Sequence, residues 1–339
     1  MTEAGKPLWP AGSATGIGSL PGTDIAEAVK FTLGELPELP YLPELPGRGP
    51  GADMIGRGAA FLVGLPIELY TGRWRVAASA GRELRRAYDF LDRDLDQLTE
   101  QADGYTGALK IQAVGPWTLA SNIELPLGEA MLSDHGAARD LAESLAEGLK
   151  SHVADVRRRV PGATVLLQLD EPSLPAAMAG RVRTASTLHT YRSVPRSVIR
   201  ETLASVISTV GAPVIVHCCA PEAPLDLLRE AGAAALALDL DLLGTDRSKL
   251  DSLGEAIDAG LGLFAGVART TAPAGGRRPD AAALADRLRR LWRDLGFAEE
   301  QLASRVVVTP TCGLAGATPA YAQSLLKACH EASRRLTEQ

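Results

Sequence analysis

Short apolar runs recur along the 339 residues, each closed by a turn signal and most followed by a stretch of helical periodicity. Eight stand out: SATGIGSLP (13–21), LPYLPEL (39–45), ALKIQAVGP (108–116), ATVLLQLDEP (163–172), PVIVHCC (213–219), AALALDL (234–240), GLFAGVAR (262–269) and RVVVTPTCG (305–313). Between them, Leu141, Leu145, Leu149, Val153 and Val156 share one helical face, and Tyr321, Leu325, Cys329, Ala332 and Leu336 another. Strands that are apolar on both faces and alternate with helices predict a parallel sheet buried on both sides. Eight such units favour a closed (β/α)8 barrel (TIM barrel) over an open, doubly wound sheet. The prolines of 39–45 suit an irregular or edge-like segment. Two long connections, 46–107 and 173–212, have room for extra helices or a lid. No internal repeat or linker divides the chain, so a single barrel domain over 1–339 is expected.

Composition narrows the class. At 46% hydrophobic and 22% charged the chain reads as globular, and a net charge of −6 argues against nucleic acid as a partner. Neither a signal peptide nor a span of about 18 apolar residues is expected, which points to the cytoplasm. Four cysteines, two of them adjacent, do not make a disulfide framework.

In a parallel barrel the C-terminal ends of the strands share one rim, and that rim carries the chemistry. The first run ends in Gly18-Ser19, the second in Glu44 and the fourth in Asp170-Glu171. The fifth ends in His217-Cys218-Cys219, the sixth in Asp239 and the eighth in Cys312-Gly313. Side chains alternate across a strand, so His217 and Cys219 share a face while Cys218 points the other way. His-x-Cys alone also suits a strand with buried thiols. A second rim cysteine in the same arc shifts the balance towards metal. One imidazole, two thiolates and a carboxylate or open position match the preferences of zinc. Cys329 lies on the apolar stripe of the last helix, and His135, His152 and His189 have no partner motif. GIGSLPG lacks the spacing of a dinucleotide loop.

Five motifs, TGIGSLPGT (15–23), GPWTL (115–119), LLQLDEPSLP (166–175), VHCC (216–219) and TPTCGL (309–314), resemble in order and spacing the catalytic barrel of cobalamin-independent methionine synthase. That family carries two barrels, of which only the C-terminal one is matched, so the chain resembles a single-barrel relative. The resemblance implies a methyltransferase in which zinc activates the homocysteine thiol. The implied metal ligands are His217, Cys219, Cys312 and, where the family has a glutamate, Asp239, or Asp241 after a shift of register. Ser19, Glu44 and Asp170 match the positions that hold the amino-acid part of homocysteine, and Asp170 is the candidate catalytic residue.

Two departures fall on the methyl-donor side. Asn122 stands near the family's folate-stacking tryptophan, and Ala268 and Arg269 stand where the family has a proton-donating histidine. A methylated corrinoid on a partner protein would need neither group. Alternatives are transfer to another small thiol, or a non-catalytic zinc- or thiol-binding barrel. Tetrapyrrole decarboxylation, performed by a related barrel family, has no use for the His-x-Cys and Cys312 set.

Overall fold

The strands run, in chain order, β1 (Ile67–Tyr70), β2 (Arg73–Val76), β3 (Ala108–Val114), β4 (Ile123–Glu124), β5 (Thr164–Asp170), β6 (Val214–Cys218), β7 (Ala235–Asp239), β8 (Gly262–Ala268) and β9 (Val306–Pro310) in the computed structural model, which describes residues 7–244, 246–272 and 278–338. Six of them form one curled parallel sheet in the order β3-β5-β6-β7-β8-β9. They are buried almost end to end, as strands apolar on both faces must be.

The first two apolar runs close the ring without forming regular ladders. Ala14 bridges Val308 of β9, Ser19 bridges Glu44, and Tyr41 bridges Lys110 of β3, all in parallel. Main-chain bonds support each bridge, among them Thr15 N to Val308 O at 3.1 Å, Glu44 N to Gly18 O at 3.0 Å and Leu42 N to Lys110 O at 3.0 Å. The structure therefore has the predicted eight-unit cycle, irregular at 13–19 and 39–45 and with a register shift between Gly266 and Ala268 where β8 pairs with β9. Packing gives one reason for the irregularity. The Tyr41 ring lies against Gly16, where an added Cβ would come within 2.4 Å of it, so the two segments can approach only at a glycine.

Inside the ring the side chains are layered. Ala108, Leu166, Ile215, Ala235, Phe264 and Val307 pack with Trp9, Ile17 and Leu39 as the apolar floor. Trp9 meets Phe264 edge-on at 5.1 Å and seals the base of the barrel. Above this floor the same inward registers turn polar, with Lys110, Gln112, Gln168, Asp170, His217 and Thr309 all buried. Polar groups stacked towards the C-terminal rim mark that end of the barrel as the reactive one.

Outside the ring the helices bury the predicted faces. Leu141, Leu145, Leu149, Val153 and Val156 are all buried on helix His135–Arg159, and Leu325, Cys329 and Ala332 on helix Pro319–Arg335. The long connections hold extra structure, as expected. Residues 46–107 supply helices Met54–Ala59 and Arg82–Gln101 and the hairpin β1–β2, which β4 extends in parallel. Residues 173–212 supply helices Leu174–Met178 and Arg196–Thr209. No helix among the described residues is long and apolar enough to cross a membrane.

Candidate metal and substrate site

His217 is the fourth residue of β6, in register with Asp170 of β5 on one side and Ala237 of β7 on the other. Its Nδ1 faces the Ala237 carbonyl at 3.1 Å, which fixes the proton on that nitrogen and leaves Nε2 as the lone-pair end. Nε2 is buried and has no hydrogen-bond partner. Cys219 follows at the strand end on the same face, and Cys312 arrives from the loop after β9, bringing the two sulfurs to 3.3 Å. The imidazole nitrogen and both sulfurs lie within 4.8 Å of one another, and they form the metal-competent cluster found among the described residues. Cys218 points outward and is buried, and burial pushes its thiol up to about 11. Cys329 is likewise buried against the barrel, with its thiol pushed up to about 12.

The electrostatics of the cluster are those of a proton-sharing thiol pair. The hydrogen bond from Cys219, helped by His217, pulls Cys312 down to about 4, while Cys219 is driven upward by the same bond. Burial disfavours the charged form of His217, but Cys312 and Asp170 outweigh it and raise its pKa. This donor set fits a tetrahedral cation. An aimed, unpaired buried nitrogen has lost its solvation without compensation. Two thiolates on such an ion would sit ~3.8 Å apart, a small opening from the observed contact.

Asp239 is not drawn into the cluster. The chain turns from β7 into helix Leu240–Leu243 at this residue, and the carboxylate caps the turn by accepting from Asp241 N at 2.8 Å. Asp241, the alternative, is held by Arg269 at 2.7 Å and Arg287 at 2.8 Å, so its carboxylate is committed to an ion-pair network.

The amino-acid-binding candidates flank the cluster, Asp170 in register with His217 and Ser19 beside the loop that carries Cys312. Ser19 bridges Glu44, and its hydroxyl accepts from Ala315 N at 3.3 Å, three residues beyond Cys312. Gly313 is required there, because a Cβ would stand 2.2 Å from the Ser19 hydroxyl. Asp170 accepts from Gln168 Nε2 at 2.7 Å, and burial pushes its carboxyl up to about 7, with His217 opposing and Glu44 reinforcing the shift. Glu44 is also raised, chiefly by burial, with Arg57 Nε 3.5 Å away opposing it. Arg57 is tied in turn to Asp94 at 2.6 Å, which also receives Arg48.

Sequence reasoning placed Glu171 at the end of the fourth run but gave it no role. Its fully buried carboxylate accepts from Trp117 N at 3.0 Å, Thr118 N at 2.8 Å and Thr118 Oγ1 at 2.7 Å, capping helix Pro116–Asn122. GPWTL and LDEP are thus two halves of one joint, which locks the residue next to Asp170. The pairing of a helix start with a carboxylate more than fifty residues later leaves no local pattern. Lys110 and Gln168 were also missed. The available signal was a polar residue at every second position of otherwise apolar strands.

On the other side, Asn122 donates to Thr118 O at 2.7 Å and borders an open cleft of about 610 Å³ lined by Arg73, Trp74, Arg183 and Tyr191. Ala268 ends β8 in the interior, and Arg269 is engaged by Asp241.

Fold and rim together define a parallel α/β barrel with a thiol-rich centre at its C-terminal face. Residues 108–335 match the family described as cobalamin-independent synthase, catalytic domain. The chain belongs to the cobalamin-independent methionine synthase family and is a methyltransferase. The barrel is similar to a B12-independent methionine synthase from Shewanella sp. W3-18-1 in complex with selenomethionine, at a TM-score of 0.63 and 14% identity over 97% of this chain and 98% of that one. It is also similar to a methyltransferase from Methanosarcina mazei, at a TM-score of 0.54 and 16% identity over 97% and 95% of the two chains. No curated protein matches the chain in sequence.

Proposed function

We propose that the chain is one (β/α)8 barrel domain that works in the cytoplasm as a zinc-dependent methyltransferase, moving a methyl group onto the thiol of homocysteine to give methionine. The observation that carries this reading is the convergence of two thiols on a buried imidazole nitrogen that has no other partner, at the rim of a barrel of this family. His217, Cys219 and Cys312 would hold the ion, with Asp239 as fourth donor once its carboxylate leaves the Asp241 amide. Bound zinc supplies the Lewis acidity that keeps an alkyl thiol in its nucleophilic form near neutral pH.

The remaining residues bind and orient. The Ser19 hydroxyl already accepts from Ala315 N, so its own proton is left to donate to the substrate carboxylate. Asp170 spends one carboxylate oxygen on Gln168, which leaves the other, with Glu44, to receive the ammonium group. Asp170 is in register with His217, so an amino acid held there presents its sulfur towards the metal end of the same rim.

A methylated corrinoid on a partner protein is the donor that suits this chain. Asn122 offers no ring for stacking, Ala268 has no proton to give, and Arg269 is occupied by Asp241. The cleft beside Asn122 is the space through which the donor would approach. Cobalt substitution tests the metal site. One cobalt per chain with intense thiolate charge-transfer bands that change on adding homocysteine is expected. A protein that binds no cobalt, or whose bands survive Cys219→Ser and Cys312→Ser unchanged, contradicts the reading.

A further inference from the structure

Lys110 is the most unusual residue in the barrel. It lies in the middle of β3, on the inward face, and is 0% exposed. A buried ammonium is costly unless its donors and charge are matched. Its Nζ donates to Ile17 O at 3.0 Å and to Gln112 Oε1 at 3.3 Å, and it sits 5.1 Å from the centre of the Tyr41 ring. The Ile17 carbonyl takes a second donor, Gln168 Nε2 at 2.8 Å, and that same amide holds Asp170. Residues 13–19 have no ladder of their own, only the bridges at Ala14 and Ser19. The two interior donors therefore hold the carbonyl midway between those bridges, next to the main-chain bond from Glu44 N to Gly18 O and directly before Ser19.

Charge balance gives Lys110 a second role. Burial pushes the Lys110 ammonium down to about 7, and Asp170 and then Glu44 oppose that shift by favouring its charged form. Around the amino-acid end, three buried carboxylates (Glu44, Asp170, Asp94) stand with three largely buried cations (Lys110, Arg57, Arg48). Arg57 pairs with Glu44 and Asp94 and Arg48 with Asp94, while Lys110 makes none of these ion pairs and acts on Asp170 and Glu44 across the pocket. A neutral pocket accepts without penalty a ligand end that brings one positive and one negative charge. An end carrying a single charge leaves one buried charge uncompensated.

We propose that Lys110 is a positioning and specificity-determining residue, which holds the Ile17–Ser19 segment in place and sets the pocket's charge so that it selects the zwitterionic end of an amino acid over a singly charged thiol. This rests on the reading of Ser19, Glu44 and Asp170 as the amino-acid contacts. Without Lys110 the pocket carries one excess negative charge, which favours a thiol bearing ammonium alone.

The test compares homocysteine with 3-aminopropane-1-thiol, the same thiol without the carboxylate, by titration of cobalt-substituted protein. Wild type is expected to prefer homocysteine by about tenfold or more. In Lys110→Met that preference should collapse to parity or reverse, while cobalt affinity stays unchanged, and Lys110→Arg should restore it. If Lys110→Met does not fold, Lys110→Gln takes its place, since it keeps a polar donor at this buried position but carries no charge. Gln168→Leu, which removes the other Ile17 donor without altering charge, should weaken both thiols alike. An undiminished preference in the Met and Gln variants overturns the role of Lys110 and leaves the reading of the site intact. Failure of wild type to bind either thiol overturns that reading, and this proposal with it.

Discussion

Cys219 and Cys312 stand 93 residues apart in sequence and bring their sulfurs to 3.3 Å, beside an imidazole nitrogen with no other partner. Each arrives at a strand end separated from the other by two strands of the barrel, so the contact is made by closure of the fold and not by any local motif. A site preformed in this way should bind metal strongly, because few groups need to be ordered at the moment of binding.

Metal content follows directly. Purified protein should carry one zinc per chain, and either Cys219→Ser or Cys312→Ser should weaken zinc binding by a hundredfold or more in a chelator competition. Cys218→Ser, which alters a thiol on the outward face, should leave it unchanged.

The joint between Glu171 and the start of helix Pro116–Asn122 predicts a stability effect. Glu171→Ala leaves two main-chain amides and the Thr118 hydroxyl without their acceptor in a buried place. Each such group costs ~1–3 kcal/mol, so urea denaturation should show a loss of about 3 kcal/mol or more.

The contrast between Glu171 and His217 shows what was legible in the sequence. His217, Cys219 and Cys312 could be read because strand alternation and the shared rim of a parallel barrel place them without further information. The eight apolar runs were legible for the same reason, since burial on both faces leaves its mark on every residue. Residues 13–19 and 39–45 were legible as ring members but not as bridges, because the Tyr41–Gly16 contact that distorts them is tertiary. Asp239 ends its strand as expected, yet its carboxylate caps the next turn, a local hydrogen bond that competes with convergence on the cluster. Lys110 was hidden because an inward lysine is matched only by partners on other strands and segments.

His152 makes a prediction about acid. It is buried on helix His135–Arg159 against Phe61, with ring centres 4.7 Å apart, and burial pushes its pKa down to about 3. The folded state therefore refuses a proton that the unfolded chain accepts below about pH 6.5. Its contribution to stability is complete above that pH and is lost as pH falls towards 3, by up to ~1.4 kcal/mol per unit. Denaturation midpoints over this range should show the slope, and His152→Phe should flatten it.

Asp94 carries two guanidinium groups, from Arg48 and Arg57, and is fully buried. Asp94→Asn removes the charge that compensates Arg57 and should destabilise the protein by ~3–5 kcal/mol. Arg57 faces Glu44, so the same variant should also weaken homocysteine binding, read by cobalt titration on whatever fraction folds.

The central claim is methyl transfer to a metal-held thiol, and the most direct measurement is methionine formed from homocysteine with methylcobalamin and with methyltetrahydrofolate offered separately. The account predicts methionine from methylcobalamin, little from the folate, and loss of the activity on zinc removal or in Cys312→Ser. Zinc-loaded protein that yields no methionine from either donor, or activity that persists in Cys312→Ser after zinc is stripped, would contradict it.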